Sequence, residues 1–392
     1  MISRALGARP SILTTYGPFL LLVLFVSLLA SPSANDFFQF WWAGHLIVTS
    51  RSPYDPDAWA AALAYGPAAG AVAARCVVSD SAACSWIYPP WTAWLFAPTG
   101  ALDPQTGIGI QRVTLVSALA VGGVLWVRAA RATGAAGTAL LIAFAASAPF
   151  VRDVVTGHFE GLLLIGLALV AIGLADRRTW PVVAGAMLVA LKPHLSLVLV
   201  PLVVVWLAST RAYRTLTVAA VALCALLVAG FASDPLAWPA LIGRTIAKQE
   251  VATGTTWGFA AAIGGAAAPA VAVVMVAVAV AAAFITWRSS AVADRAGVLV
   301  GAGAALSLAV APYAQSYDMV LLFPAVAIAL ATVRRATAVA AATVVVAVTW
   351  LAYILELSGD PRAFAGALPT IALVLLALRA RRRPSVGLEA GA

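Results

Sequence analysis

Charge is scarce in this chain. Asp, Glu, Lys and Arg make up 10% of its 392 residues, against 63% hydrophobic residues and a mean hydropathy of +0.99. That balance excludes a soluble globular domain. Apolar runs long enough to cross a bilayer, roughly 17 to 25 residues each, recur through almost the whole sequence. Internal repetition is also lacking, the second half not repeating the first, which argues against the repeat plan common among transporters. Cysteine is limited to three residues. Cys76 and Cys84 fall in one loop, where an oxidising compartment permits a disulfide and the sequence leaves the pairing open. Cys224 lies within an apolar run and reads as a small packing residue.

What is present reads as an all-α, polytopic transmembrane helical bundle, a single integral membrane domain over residues 1–392. Spans are expected near 12–30, 106–127, 136–150, 158–175, 180–192, 194–208, 215–232, 258–287, 293–310, 317–333, 337–355 and 363–378, about twelve crossings. Of the 24 Lys and Arg, 16 fall in alternate loops: Arg4, Arg9, Arg128, Arg131, Arg177, Arg178, Arg211, Arg214, Arg288, Arg295, Arg334, Arg335, Arg379 and Arg381 to Arg383. By the positive-inside rule these loops and both termini face the cytoplasm, in a cell (plasma) membrane. The net charge of +9 therefore reports topology and gives no reason to expect nucleic acid.

Residues 86–102 are apolar but are followed by only Asp103-Pro104-Gln105 before the next span. A full crossing would invert every later loop. The segment is read as a re-entrant or interfacial hairpin on the outer side, with a thirteen-span layout as the alternative. Residues 31–105 then form the first outer loop, with amphipathic helices. Residues 234–257 form the second, carrying Arg244, Lys248 and Glu250 on a short amphipathic helix. Arg4 and Arg9 before an apolar core, with Ala30-Ser31-Pro32-Ser33-Ala34 after it, resemble a secretory signal; the run is read as an uncleaved first span.

On this topology His45, His158, His194, Lys192 and 12 of the 15 acids map to the outer side. Ionisable residues at membrane depth are expensive and ordinarily face a polar cavity with a partner. Asp36 opens an aromatic stretch, Asn35-Asp36-Phe37-Phe38-Gln39-Phe40-Trp41-Trp42-Ala43-Gly44-His45, and Pro53-Tyr54-Asp55 and Tyr88-Pro89-Pro90 follow. Gly157-His158-Phe159-Glu160, Leu191-Lys192-Pro193-His194 and Pro312-Tyr313-Ala314-Gln315-Ser316-Tyr317-Asp318 lie at later span boundaries. With Asp36, these are expected to ring one outward-facing pocket.

In order and position these motifs resemble the GT-C membrane glycosyltransferases, specifically glycosyltransferase family 87. The resemblance implies transfer of a sugar, typically mannose, from a polyprenyl-phosphate carrier to a glycan or glycolipid acceptor on the extracytoplasmic face. It also implies that Asp36, in the first outer loop, is the catalytic base. Two positions depart from the family pattern. Gly157-His158-Phe159-Glu160 replaces Gly-Gln-x-Asn, and Tyr317-Asp318 stands where some members have His.

The chemistry is consistent with that implication. Displacing phosphate from an anomeric carbon needs a base for the acceptor hydroxyl and positive charge for the departing phosphate. Asp36 supplies the first; Lys192, Arg112 and Arg152 are candidates for the second. His45, Tyr54, His158, Glu160, His194, Tyr317 and Asp318 are candidate substrate contacts. One base without a second nucleophile points to direct displacement with inversion. A polyprenyl tail requires a pocket open to membrane lipid, and the Phe/Trp helix is expected at the headgroup level. No cofactor is implied. Neither an Asp-x-Asp motif beside Asp36 nor a known ligand spacing among His158, Glu160 and His194 indicates a metal.

Plainer readings stand beside these. Asp36 equally suits a helix N-cap, Phe37–Trp42 an interfacial aromatic belt, and Lys192 a snorkelling side chain paired with Glu160 or a lipid phosphate. His45 suits a hydrogen-bonded interfacial residue, and Tyr317-Asp318 a helix start. The alternative functions are a multispan transporter or flippase of a lipid-linked or small polar substrate, an outer-face glycan polymerase or ligase, and a non-catalytic scaffold.

Overall fold

The computed structural model describes residues 12–29, 35–62, 86–132, 134–234, 237, 255–291, 294–331, 335–357 and 364–381. Cys76, Cys84 and the segment with Arg244, Lys248 and Glu250 lie outside the described residues, as do Arg4 and Arg9. No strand occurs among the described residues. The helices are α1 (Ile12–Leu29), α2 (Asn35–Val48), α3 (Pro56–Ala60), α4 (Pro90–Gly100), α5 (Pro104–Ala129), α6 (Gly134–Ala146), α7 (Ala148–Thr156), α8 (Glu160–Asp176) and α9 (Thr179–Val189). They continue as α10 (Leu199–Ser209), α11 (Tyr213–Ser233), α12 (Thr256–Gly264), α13 (Ala268–Ser289), α14 (Arg295–Val310), α15 (Phe323–Leu330), α16 (Arg335–Leu357) and α17 (Leu368–Arg381).

Three stretches are long and apolar enough to cross a membrane: α5, α11, and α12 with α13 over Thr256–Ser289. The pair α6 and α7, bent by 52°, brings the number to four, and seven further apolar helices have 10–17 residues. Of the roughly twelve crossings expected from hydropathy, three are therefore clear. Local chemistry explains much of the fragmentation. Ser147 and Pro149 break α6 from α7. Pro193 starts a single 3-10 turn, Pro193–Ser196, and a 3-10 stretch, Ser316–Leu322, precedes Pro324. Proline starts helices but cannot continue one without losing a hydrogen bond. At the first break the freed groups find partners on α16: Trp350 Nε1 donates to the Ala146 carbonyl over 2.8 Å, and the Ala148 amide donates to Thr349 Oγ1.

Two helices fix the site. α8 is apolar around its whole circumference, which is the pattern of a helix enclosed by others, and it packs against α5, α9 and α14. Its first residue, Glu160, is fully buried. α2 packs on α4, and their approach depends on two glycines: a Cβ on Gly44 would meet the Phe96 carbonyl, and one on Gly100 would meet the backbone of Gly44 and His45. The aromatic stretch on α2 is not at a lipid surface. Phe37, Phe38, Phe40, Trp41 and Trp42 are all buried in the protein core, with Phe40 stacked on Phe96 and edge-on to Phe159. The expected lipid-facing belt is corrected accordingly: these rings are enclosed because α4, α5 and α7 close over them.

α4, with 11 residues, is about 16 Å long at ~1.5 Å per residue, about half the hydrocarbon thickness of a bilayer. Asp103 caps the next helix, accepting the Thr106 amide at 3.0 Å, and that hydrogen bond holds its carboxyl below the usual aspartate range. Cys224, expected as a packing residue, is instead exposed on α11.

Candidate functional site

The site forms where the N-terminus of α2, the end of α7, the start of α8, the α9–α10 connection and the 3-10 stretch Ser316–Leu322 meet. α7 ends at Gly157, whose φ of 88° lies in the left-handed region that glycine adopts without strain. The Gly157 amide donates to the Asp153 carbonyl at 2.8 Å, and so does that of His158 at 3.1 Å. This tight end turns His158 back toward α2, where its Nε2 lies 2.8 Å from Asp36 Oδ2. The hydrogen bond requires the proton on Nε2. Nδ1 is buried without a partner, and the ring stacks on Tyr317 with centroids 3.5 Å apart. Asp36 keeps 28% of its side-chain surface exposed, so a further group can reach it.

Below this pair lies a charge cluster sealed from solvent. Lys192 Nζ binds Glu160 Oε1 and, at 3.0 Å, Asp318 Oδ1, while Asp318 Oδ2 accepts the Gln315 amide at 2.7 Å. All three side chains are at most 2% exposed. The ammonium also faces the rings of Tyr88, Phe159 and Tyr317 at 5.0–5.4 Å, a favourable cation–π arrangement where water is excluded. Glu160 Oε2 receives no donor, and neither oxygen of Asp153 does; the Asp153 carboxyl neighbours that of Glu160. One cation thus serves several buried acids.

Arg152 stands at the edge of the cluster. Its Nη1 donates to Ser316 Oγ at 2.5 Å, and its guanidinium faces the rings of Tyr317 at 5.7 Å and Tyr353 at 5.3 Å. Beside the residues that hold it, a cavity of about 110 Å³ runs between α6, α15, α16 and α17, lined by Phe144, Ser147, Met319, Val348 and Thr349 among others. Its walls are almost wholly apolar.

Of the residues expected from sequence, Asp36, Arg152, His158, Glu160, Lys192, Tyr317 and Asp318 do meet. His194 joins them at the rim, stacked on Tyr313 at 4.1 Å. Tyr54 is buried and donates its hydroxyl to the Tyr88 carbonyl, supporting the wall of the site from behind. His45 belongs to the α2–α4 contact, stacked on Trp41 and Trp42 with Nδ1 3.0 Å from the Gly100 carbonyl. Arg112 is half-buried in α5 and forms no ion pair among the described residues. Sequence reasoning did not select Tyr88, Asp153, Tyr313, Ser316 or Tyr353. Tyr88 and Ser316 stand inside quoted motifs, whereas Tyr353 lies in the run of α16 with no local signal.

A sequence model of glycosyltransferase family 87 matches residues 86–312, more than half of the chain. The match contains the Tyr-Pro-Pro, Gly-His-Phe-Glu and Leu-Lys-Pro-His segments but neither Asp36 nor Tyr317-Asp318. Neither the curated proteins nor the solved structures give a match.

Proposed function

Because the chain belongs to glycosyltransferase family 87 and is a membrane glycosyltransferase, we propose that the Asp36 centre transfers mannose from a polyprenyl-phosphate donor to a glycan or glycolipid acceptor. The centre faces the extracytoplasmic side of the plasma membrane, with both termini in the cytoplasm. One observation carries the reading: the accessible carboxylate of Asp36 is oriented by His158 over 2.8 Å, and the ring of Tyr317 that His158 stacks on also faces the Arg152 guanidinium.

Asp36 takes the proton of the acceptor hydroxyl as the oxygen forms a bond to the anomeric carbon, and the bond from that carbon to the phosphate oxygen breaks on the opposite face. Inversion follows from the single displacement. His158, donating through Nε2, keeps the carboxylate in place and stabilises its charge before the proton arrives. Arg152 is the leading contact for the departing phosphate, because a guanidinium suits phosphate geometry and Arg152 stands at the edge of the cluster, against Ser316 and Tyr317. Lys192, already shared by Glu160 and Asp318, contributes by fixing Tyr317 and the start of α8, and reaches phosphate only by exchanging a carboxylate. Arg112 is a contact for the lipid-borne phosphate approaching along α5. The apolar cavity beside Arg152 suits the isoprenoid tail, which would leave the phosphate at its mouth.

The test is donor consumption by purified protein in lipid, presented with a panel of polyprenyl-phosphate sugars. Consumption of the mannose donor that disappears in Asp36→Asn is the expected result. Consumption of none of the panel, or undiminished consumption by the variant, would overturn the assignment.

A further inference from the structure

The end of the bundle opposite the Asp36 centre carries a second cavity. α8 begins at Glu160 and ends at Asp176, a helix of 17 residues, roughly 25 Å at ~1.5 Å per residue. α10 likewise leads away from Lys192 and ends at Ser209, and α14 runs from Arg295 toward Tyr313 and Asp318. The far ends of these three helices enclose about 480 Å³, walled by Arg177, Arg295, Thr210, Thr215, Trp206 and Trp287 among others, with no acid in the lining.

The neighbouring acids are engaged elsewhere: Asp176 lies 3.9 Å from Arg178 and Asp294 lies 3.5 Å from Arg131. Arg177 and Arg295 form no ion pair among the described residues. Arg295 lies over the Trp287 ring at 5.8 Å, and Trp287 meets Trp206 edge-on.

A second, almost wholly apolar cavity of about 350 Å³ extends from this one along α10, α13 and α14. The two share Trp206, Ser209 and Trp287. A basic, hydroxyl-bearing chamber thus opens through a tryptophan pair into an apolar groove. That is the shape and polarity of an amphiphile with an anionic head, and basic pockets between membrane helices are suited to lipid phosphates.

We propose that this end of the bundle binds a phospholipid of net negative headgroup, with its phosphate between Arg177 and Arg295 and an acyl chain in the groove beyond Trp206 and Trp287. The site is separate from the Asp36 centre and does not depend on what that centre transfers.

Lipid retained by protein reconstituted in mixed phosphatidylglycerol and phosphatidylcholine, then extracted into detergent, is counted by native mass spectrometry. The wild-type chain retains phosphatidylglycerol in preference to phosphatidylcholine. Arg177→Asn leaves a residue suited to the left-handed φ of 54° at that position and weakens retention about fivefold. Arg177→Asn with Arg295→Gln weakens it about 25-fold, each figure following from about 1 kcal/mol per basic residue near a lipid headgroup. Arg295→Lys, which keeps the charge, retains the lipid and serves where the double variant does not fold. Equal retention of the two lipids by the wild type, or retention unchanged in Arg177→Asn, overturns the proposal. Displacement of the lipid by millimolar inorganic phosphate also overturns it, since the site would then take a free anion.

Discussion

His158 reaches from the turn after α7 to place Nε2 2.8 Å from Asp36 Oδ2 on the first turn of α2, joining two segments separated by more than a hundred residues of sequence. The contact turns a partly exposed acid at a helix start into an oriented one. An N-cap needs no such partner.

Asp36→Asn should fold and bind donor but lose sugar transfer by about 10²- to 10⁴-fold, the range for removal of a general base. Single-turnover transfer in lipid, read beside donor binding, checks this. Turnover within a few-fold of wild type would remove the base assignment.

His158→Phe keeps an aromatic ring against Tyr317 but removes the hydrogen bond to Asp36. Transfer should fall by about 100-fold, the loss expected when a reacting group is misplaced by about an ångström, with little change in thermal stability. Equal loss of stability and rate would assign His158 to packing alone.

Lys192→Met leaves Glu160 and Asp318 buried without their cation, and breaking such a cluster costs about 3–5 kcal/mol. The unfolding midpoint in detergent should therefore fall steeply. A variant as stable as wild type but weak in donor binding would instead make Lys192 a phosphate contact.

Gly100→Leu inserts a side chain where the α4 backbone lies against Gly44 and His45. Overpacking of this kind costs about 1–3 kcal/mol, and because α2 carries Asp36, transfer should fall with stability. Gly109→Leu, at a glycine with open space beside it, is the control and should leave both unchanged.

Asp103 gives a pH-dependent signal away from the site. Its carboxyl is held below the usual aspartate range by the Thr106 amide, so its capping contribution is present above the unfolded pKa, about 4, and fades as pH falls through the lower folded value. The stability difference between wild type and Asp103→Ala should shrink on acidification below that point. A difference that grows toward low pH would contradict the cap.

The sequence marked which segments meet, because an ionisable residue at the boundary of an apolar run signals its own need for a partner. It did so for Lys192 and named Glu160 as one possible partner, but not Asp318, whose contact depends on the turn after α14. Tyr353 was invisible for a different reason: it sits within an apolar helix, where a tyrosine reads as filler until Arg152 is seen beside it. Hydropathy likewise could not separate rings facing lipid from rings facing protein, so the aromatic face of α2 read as interfacial although α4 and α5 enclose it. Only three of the expected crossings are clear as long helices, and a sliding apolar window does not see where such a run bends: it passes through Ser147-Ala148-Pro149, whereas the backbone turns there by 52°.

That fragmentation bears on how the chain enters the bilayer during synthesis. α9 and α10 have 11 residues each, too few to be held across the hydrocarbon on their own. They therefore have to partition as a hairpin with α8 or α11 already alongside, so α9 and α10 alone, fused to a soluble carrier, should remain alkali-extractable, while a fusion extending from α8 through α11 should not.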